Sequence, residues 1–522
     1  MKIPYRFTFA FCLISFTLCL ILTACGSNQL PPETTSPTVS QPEIEISSES
    51  TESTDAPTEP DPTTSPYADT ILAYLPEYTY SGVLAGTYDM SAEGMYFAKG
   101  STKQYDPLLN GNPIVDELGG GMMWVYRKVS ASAMEAYSTD LANAGYTLYS
   151  DNELNQNLFS TWVSADHVVT LSYLASRKEF SILIEPMRAL PGLAQDNVCV
   201  NENIPCKAIL APTSHTGREN GQCLILQLCD GSFVIVDGGH GIGFYPSDKE
   251  GFEETYDDNA EEIYQILRAF APDPEKIVIA AWFFTHPHWD HIGAIGPFAD
   301  MYGGSVTVEK FILNHPNHNT IQQMWDKSDA NLLYVPKMQK AFAKFPEASI
   351  IEAHAGQVFY LRNAVIDVLL TWELQTQYSP DFESVSTMNS ASLILDVEIC
   401  GERLIVLGDS GVSSTAYLNK LYGSWLKSDM VSIAHHGYQG ADAALYRNID
   451  ADIVLWPINR EDVTDLLNEE RNRPLKEADK IWVVGKSITI LPLPYTTDSD
   501  VIVFEAPVLT GRQWDDVYPA SP

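Results

Sequence analysis

Apolar and polar positions between about residues 205 and 510 alternate in a way that predicts strands and helices in turn. The run SFVIVDGG predicts a buried strand ending at Asp237, and KIVIAAWFFTH predicts another that runs into His286. NAEEIYQILRAF, between them, has the spacing of a helix. ASLILDVEI and ERLIVLGDS predict a hairpin around Gly401, and DMVSIAHHG and ADIVLWPIN predict two more strands with a helix between them. The pattern predicts an α/β domain over 205–510 in which polar clusters follow strand ends, where scaffolds commonly place their chemistry.

A different pattern precedes this domain. SASAMEAYSTDLANAG predicts an amphipathic helix, and Gly145 suits its C-terminal end. The segments YTLYS, LFSTWVS, HVVTLSYLA and FSILIEP then predict a series of strands. We therefore expect a small α+β domain over residues 67–195. Its only histidine is His167, so we expect it to support the second domain or shape its cleft rather than bind metal itself.

Residues 1–24 are expected to be a signal peptide. Lys2 and Arg6 precede an apolar run that ends in LTAC at Cys25, which is the arrangement of a secretory signal. The LTAC stretch resembles the lipobox of bacterial lipoproteins, which implies cleavage before Cys25 and lipidation of its sulfur. The alternative is an uncleaved transmembrane anchor, since the run nearly reaches spanning length. Both interpretations place the rest of the chain outside the cytoplasm, and the first anchors it to the cell membrane by a lipid.

Residues 25–66 are rich in Ser, Thr, Pro and Glu and have almost nothing to bury, which predicts a disordered tether. The 522-residue chain has a net charge of −37, and residues 27–66 supply only eight of its acidic groups. The folded part is therefore itself acidic. This balance disfavours a dedicated nucleic-acid-binding protein, although it does not exclude a local basic groove. The sequence indicates no protein partner.

The cysteine pattern gives little evidence of a metal site. The cysteines that follow Cys25 are Cys199, Cys206, Cys223, Cys229 and Cys400. None stands in a CxxC pair, which disfavours a cysteine zinc site. Their odd number leaves at least one thiol unpaired within the chain, and Cys199 with Cys206 is one candidate pair.

Four potential metal ligands stand together in THPHWDHIGA, at residues 285–294. Residues i and i+2 of an extended segment share a face, so His286 and His288 can hold one cation together. Asp290 and His291 follow where the chain turns, and they can face a second cation. Imidazole and carboxylate are the usual ligands of zinc and similar divalent metals. Burying these groups together without a metal would leave polar atoms unsatisfied.

Two later strand ends offer further ligands. VLGDS presents Asp409, whose carboxylate could bridge two metals, and IAHHG presents His435 and His436. His435 is the candidate that completes the second metal site, although the adjacent His436 competes with it. Other histidines, such as His354, are expected to be ordinary polar residues of loops.

The order of these motifs resembles the metallo-β-lactamase fold superfamily. THPHWDHIGA has its HxHxDH pattern, VDGG precedes it, and GDS and AHHG follow it in the family's order, over about residues 210–500. The HHG ending is similar to the extracellular domain of DNA-uptake competence proteins and to secreted phosphocholine esterases. The resemblance implies an αββα sandwich with the metals at one edge, here preceded by the small α+β domain.

The resemblance also implies roles for particular residues. It implies that His286 and His288 bind the first metal, and that Asp290, His291 and His435 bind the second. It also implies that Asp409 bridges the two metals and that Asp237 orients one of the ligands. Many members have a third first-metal histidine, and Asn389 stands at that place here. An amide is the weaker ligand, so the first metal is expected to be looser or completed by substrate. Competence-type relatives share this asparagine.

Two metals at such a site would activate a bridging hydroxide as the nucleophile. Asp290 is expected to orient it, while His436 and Tyr438 either contact the substrate or only pack around the metals. We expect two divalent ions, zinc or alternatively manganese, and a phosphoester or phosphodiester substrate. A β-lactam, lactone or other carbonyl hydrolase is the first alternative. A metal-binding lipoprotein without catalysis is the second. The loop 240–258 is expected to contribute to specificity.

Overall fold

The computed structural model describes residues 73–89, 121–197, 199, 203–211, 221–240, 257–316, 321, 329–376, 387–458, 460–478, 480–483, 487–495 and 502–505. The predicted signal peptide, the tether and Cys25 lie outside these residues, as does the loop 241–256, and what was expected of them stays a prediction. Within the described part of the chain, no helix is long and apolar enough to cross a membrane.

The first sheet is antiparallel and lies N-terminal to the histidine motif. Its strands are β1 (Val83–Asp89), β2 (Met122–Arg127), β3 (Thr147–Leu154), β4 (Asn157–Val163), β5 (His167–Leu174) and β6 (Glu179–Pro186). They lie in the order β1-β2-β6-β5-β4-β3. Helix α1 (Ala131–Asn143) covers one face, where Tyr137 packs with Trp124 and Ile182. The helix and strands β3 to β6 match the sequence pattern, and β1 and β2 are additional to it.

The second sheet carries the HxHxDH motif at the end of one strand. Its strands are β7 (Lys207–Leu210), β8 (Leu224–Gln227), β9 (Phe233–Val236), β10 (Ile277–Phe284), β11 (Val306–Val308), β12 (Lys310–Leu313), β13 (Ser349–Glu352), β21 (Ser487–Pro492) and β22 (Ile502–Glu505). The order is β13-β12-β10-β9-β8-β7-β21-β22, with β11 beside β10. Because β9 and β10 are parallel, their carboxyl ends meet at one edge of the sheet.

The third sheet provides the remaining motifs. Its strands, from one edge to the other, are β14 (Val358–Leu361), β15 (Ala364–Leu370), β16 (Ile394–Ile399), β17 (Glu402–Val406), β18 (Met430–Ser432), β19 (Ile453–Trp456) and β20 (Lys480–Val483). β16 and β17 form the expected antiparallel hairpin. β17, β18 and β19 are parallel, so the residues after β17 and β18 also meet at one edge.

The second and third sheets pack face to face with helices outside both. The helices are α2 (Asp257–Phe270), α3 (Trp289–Ile292), α4 (Ile295–Tyr302), α5 (Asp329–Phe342), α6 (Trp372–Thr376), α7 (Val412–Tyr422), α8 (Ala443–Ile449) and α9 (Arg460–Asn468). Successive strand residues point to opposite faces. Val234 and Leu404 fill the core between the sheets, whereas Phe233 packs under α2, α4 and α5. Ile405 packs under α7 and α8. The layers form an αββα sandwich, and the predicted fold class is confirmed.

The six-stranded sheet packs against the sandwich through the face opposite α1. Leu154 and Phe159 join the core formed by the third sheet and its helices. Gly356 allows this close approach, because a Cβ at that position would lie 2.0 Å from Cγ of Phe159. Asn152 on β3 also donates to the Asp367 carboxylate on β15, over 2.7 Å. The two parts therefore share both apolar and polar contacts.

A cluster of buried charges joins the same two parts. His354 lies between two carboxylates, with Nε2 2.8 Å from Glu185 on β6 and Nδ1 2.9 Å from Glu373 on α6. Arg188 pairs with both Glu185 and Glu352. Burial opposes the charge on His354, but Glu185 and Glu373 outweigh it and raise its pKa well above the usual value. Burial also raises the pKa of Glu352 to about 7, although Arg188 opposes that shift.

Candidate metal centre

Four strand ends converge on one point at the edge of the sandwich. Asp237 directly follows β9, β10 leads into Thr285 and His286, β17 leads to Asp409, and β18 leads to the two histidines of AHHG. Because each strand is fixed in a packed sheet, the backbone positions of these residues are set before any ligand binds. The expectation that polar clusters meet at strand ends is met at this edge.

The first group of potential ligands is His286, His288 and Asp409. His286 Nε2 lies 3.0 Å from His288 Nδ1, as expected for two residues on one face of an extended segment. The same Nε2 is 3.7 Å from Asp409 Oδ2. Two imidazole nitrogens and a carboxylate oxygen therefore face one point, which suits one divalent metal.

The second group is Asp290, His291, Asp409 and His436. Asp290 and His291 lie on the short helix α3, whose N-cap is His288, so the turn after β10 brings them into this group. His291 Nε2 is 3.2 Å from Asp409 Oδ1, and His436 Nε2 is 3.5 Å from Asp409 Oδ2. His436 Nε2 also lies 3.6 Å from Asp290 Oδ2. Asp409 belongs to both groups, which is the arrangement of a carboxylate that bridges two metals.

Buried atoms without hydrogen-bond partners show that these residues fit metal ions. His291 Nε2, Asp409 Oδ1 and His436 Nε2 are buried, and none has a hydrogen-bond partner among the described residues. Each such atom costs roughly 1–3 kcal/mol of desolvation if nothing binds it. Nitrogen and carboxylate oxygen atoms in this arrangement are the donors that divalent transition metals prefer. The residues present therefore fit the two metals that the sequence predicts.

Asp237 holds the second group in place from behind. Its carboxylate is fully buried and accepts hydrogen bonds from the Thr285 backbone N–H and hydroxyl, each over 2.8 Å. It lies 2.7 Å from His291 Nδ1. A carboxylate can only accept this bond, so Nδ1 carries a proton, and Nε2, which faces Asp409, is the nitrogen available to a metal once its own proton is displaced. Asp237 thus sets the tautomer of His291, which agrees with the orienting role expected from the sequence.

Burial and mutual attraction shift the pKa values of the cluster. Burial lowers the pKa of His286 well below its usual value and favours the neutral imidazole that binds metal. Burial disfavours ionised Asp409, but His291, His436 and His435 outweigh it and hold its pKa well below the usual value. The pKa of Asp290 is lowered too, since His291 and His436 overcome its burial. Both carboxylates are therefore ionised, as metal ligands must be.

Three side chains of the site stand on strained backbone. Asp237, His435 and His436 have φ values of 59°, 48° and 51°, a region that residues other than glycine rarely adopt. Such conformations cost about 1–3 kcal/mol each and are characteristic of functional sites. Gly437 follows with a φ of 87°, and a Cβ there would lie 2.4 Å from Trp456. The AHHG turn therefore has an unusual backbone conformation, and its two histidine side chains point in different directions.

The structure distinguishes His436 from His435. His436 lies within the second ligand group and its Nδ1–H donates to the Pro457 carbonyl over 3.2 Å, which leaves Nε2 toward the carboxylates. His435 Nε2 lies 3.9 Å from Asp409 Oδ2 and 3.3 Å from Asn389 Nδ2. The geometry thus differs from the expectation that His435 completes the second site and His436 serves catalysis. The ligand assignment stays a prediction, and the distances favour His436.

The contacts of Asn389 and Tyr438 bear on the roles predicted for these two residues. Asn389 begins a short 3₁₀ turn before β16 and faces His435, with Nδ2 3.3 Å from His435 Nε2. Tyr438 is half-buried against the apolar core under α7 and α8. This contact fits the packing alternative for Tyr438 better than substrate contact.

Two residues that support the site were not identified from the sequence. Ser392 accepts a hydrogen bond from the Asp409 backbone N–H over 3.1 Å, and Thr285 binds Asp237 as described above. Thr285 directly precedes the HxHxDH motif, and that position is a usable signal. Ser392 has no such signal, because its contact depends on how β16 and β17 pair. Both residues fix backbone that carries ligands.

Parts of this chain are similar to solved structures of other proteins. No protein-family profile matches the chain, and no curated protein matches it. Among solved structures, the chain is similar to the metallo-β-lactamase fold protein YhfI from Bacillus subtilis, at 13% identity, with a TM-score of 0.31. That match covers 53% of this chain and 95% of YhfI.

Two other solved structures are matched by this chain over about half of their own length. CmlA, a diiron β-hydroxylase from Streptomyces venezuelae, is 13% identical with a TM-score of 0.32, over 59% of this chain and 55% of CmlA. A long form RNase Z from yeast is 9% identical with a TM-score of 0.32, over 59% of this chain and 51% of that enzyme. The layers and the strand order of the chain itself define its fold.

Proposed function

We propose that this protein is a metal-dependent hydrolase of phosphoesters, with phosphodiesters as the leading substrates. The observation that carries the proposal is the position of Asp409 in both ligand groups. A carboxylate shared by two imidazole-rich groups supports a dinuclear centre, of the kind found in phosphatases and nucleases. Zinc is the proposed metal and manganese the alternative, because their ligand sets overlap.

The metals and the residues around them would have different roles in the reaction. Two divalent ions bound here would polarise a phosphoryl oxygen and lower the pKa of water at the site. Asp290 is 19% exposed at its side chain, whereas Asp409 is 2% exposed. Asp290 is therefore the carboxylate that can reach an attacking water and orient it. Asn389 faces His435, which lies 3.9 Å from Asp409 Oδ2, and both side chains would contact the substrate.

Local charge supports an anionic substrate. The whole chain is acidic, but two divalent cations would more than balance the buried carboxylates of Asp237, Asp290 and Asp409. The centre would then be a positive point in a negative protein, which attracts a phosphate group. The same acidic surface would repel a long nucleic acid. A small phosphoester or one of the cell envelope is therefore the preferred class.

The test is metal analysis followed by turnover on a panel of substrates. The full-length chain, purified in mild detergent, would be assayed with bis(p-nitrophenyl) phosphate, p-nitrophenyl phosphate, a chromogenic β-lactam, a lactone, and single- and double-stranded DNA. We expect two metal equivalents and phosphodiester cleavage, lost in His286→Ala and Asp290→Ala but kept in the matched control His167→Ala. Turnover of the β-lactam or lactone alone would make it a carbonyl hydrolase. Metal without turnover would indicate a binding protein.

We further propose, from the sequence alone, that the chain is a lipoprotein anchored outside the cytoplasm through Cys25. The proposal predicts that the chain partitions into the detergent phase and incorporates a labelled fatty acid, and that Cys25→Ala does neither. A variant that still partitions without label would indicate the uncleaved transmembrane anchor instead.

A further inference from the structure

Four cysteines that are distant in the sequence come together at one place in the structure. Cys199 Sγ lies 2.7 Å from Cys229 Sγ. The Cys206 and Cys400 thiols hydrogen-bond each other. Asn363 donates to both of them, with Nδ2 3.3 Å from Cys206 Sγ and 3.6 Å from Cys400 Sγ. The four sulfur atoms thus form two adjacent pairs.

This cysteine cluster lies at the opposite end of the strands from the metal centre. Cys206 directly precedes β7, Cys229 follows β8, and Cys400 lies in the turn between β16 and β17. β17 runs from Cys400 toward Asp409, so the length of a strand separates the two sites. The cluster therefore has no part in the chemistry proposed for the metals.

The cluster does not have the geometry of a cysteine metal site. Four-cysteine zinc sites place all their sulfur atoms around one ion. Among the described residues, no cysteine belongs to a group of three or more ligand atoms close enough to share a metal. The arrangement instead brings sulfur atoms together two at a time.

We propose that Cys199–Cys229 and Cys206–Cys400 are disulfide bonds of the mature protein. In the Cys199–Cys229 pair, the sulfur separation already lies between the roughly 2.05 Å of a disulfide and an ordinary contact between two thiols. This pairing replaces the Cys199–Cys206 pair considered from the sequence. It also accounts for the odd number of cysteines, because the one left over, Cys223, is buried alone in the core under α2 and α4.

The chemistry is thiol–disulfide exchange. In each pair, one thiolate attacks a sulfur of an external disulfide, and the second thiol then displaces that mixed disulfide. One S–S bond forms in the chain, its two thiols lose two protons and two electrons, and the external disulfide is reduced to two thiols. The oxidant is thus a disulfide-bearing protein or small molecule, as found in the oxidising compartments outside the cytoplasm.

The two bonds would connect different parts of the fold. Cys206 begins the second sheet and Cys400 lies in the third, so their bond would join the two sheets of the sandwich. Cys199 belongs to the segment between the six-stranded sheet and β7, so its bond to Cys229 would fix that segment against the second sheet. Cross-links that close long loops stabilise mainly by restricting the unfolded chain.

The experiment counts free thiols at each cysteine. The full chain would be equilibrated with a mixture of oxidised and reduced glutathione, denatured without further reductant, alkylated and digested. We expect alkylation of Cys223 only, and two cross-linked peptide pairs, Cys199 with Cys229 and Cys206 with Cys400. Counting by peptide keeps the N-terminal cysteines separate. Alkylation of all four clustered cysteines, with or without bound zinc, would overturn the proposal, and so would a Cys199–Cys206 peptide.

Single substitutions test the pairing independently. Cys199→Ser should free Cys229 alone, and Cys206→Ser should free Cys400 alone. The matched control Cys223→Ser should free none of them. Reducing the wild-type chain should lower its melting temperature by several degrees. A chain with both serine substitutions at 199 and 206 should melt at the same temperature with and without reductant. A wild-type melting temperature that does not respond to reduction would count against the bonds.

Discussion

Asp237→Asn is the substitution that tests most sharply how the second metal group is built. Asparagine has nearly the same size as aspartate, so the buried position stays filled. Its Oδ1 can accept the bond from the Thr285 N–H, but its Nδ2 then faces His291 Nδ1, and both atoms are donors. The imidazole must move its proton to Nε2 to avoid this conflict. That proton would point at Asp409 Oδ1, 3.2 Å away, and occupy the nitrogen that should bind metal.

Loss of such a hydrogen-bonded partner usually costs 10–100-fold in metal affinity. We expect the upper end, about 100-fold or roughly 2.7 kcal/mol, because the substitution changes the tautomer as well as removing a charge. The first group should be affected less, because the Thr285 hydroxyl stands between Asp237 and His286 Nδ1. The expected result is therefore a chain that binds one zinc with little change and the other about a hundredfold more weakly.

Competition with a chromophoric chelator measures both affinities, and a thermal melt of the metal-free chain checks that the fold is kept. Asp367→Asn is the matched control, since that carboxylate is half-buried, accepts a bond from Asn152 and lies outside both ligand groups. If Asp237→Asn binds both metals within a factor of two of the wild type, Asp237 does not set the tautomer of His291.

Metal content and stability provide three more expectations. Asp409→Ala should lose both metals, because its carboxylate belongs to both ligand groups; elemental analysis that still finds one equivalent would contradict a bridging role. His436→Ala should lose one equivalent and His435→Ala neither, and the reverse result would make His435 the ligand. The pKa of Glu352 is raised to about 7, so the folded state binds that proton more tightly than the unfolded chain. The free energy of unfolding should therefore fall by about 3 kcal/mol as pH rises from about 4.5 to 7. Glu352→Gln should lack this component in urea titrations, and an unchanged pH dependence would rule out Glu352 as its source.

The position of the candidate metal centre could largely be predicted from the sequence, because its potential ligands follow strongly apolar strands. KIVIAAWFFTH predicts both β10 and the position of His286, and the strand before Asp237 is as clear. The two histidines of AHHG were harder. They are neighbours in the sequence, and only the left-handed backbone at both positions decides which side chain turns toward Asp409.

Other parts of the fold gave weaker signals. β13 is four residues long and alternates exposed, half-buried and buried positions, so its pattern lacks a clear period. β1 and β2 pair across a long intervening segment, which local patterns do not reveal. The pairing of Cys229 with Cys199 and the burial of His354 between two carboxylates depend on contacts between distant segments. Sequence periodicity predicts elements well but not which residues those elements bring together.

The contact between Phe159 and Gly356 limits how a shorter relative of this chain could lose the six-stranded sheet. A sandwich that lacked the six-stranded sheet would expose the apolar surface that Phe159 covers, and it would leave His354 without Glu185. Loss of the sheet during evolution would therefore have to be accompanied by replacements within the sandwich itself. In a set of related sequences, glycine at 356 and histidine at 354 should be inherited together with the sheet and vary freely where it is missing.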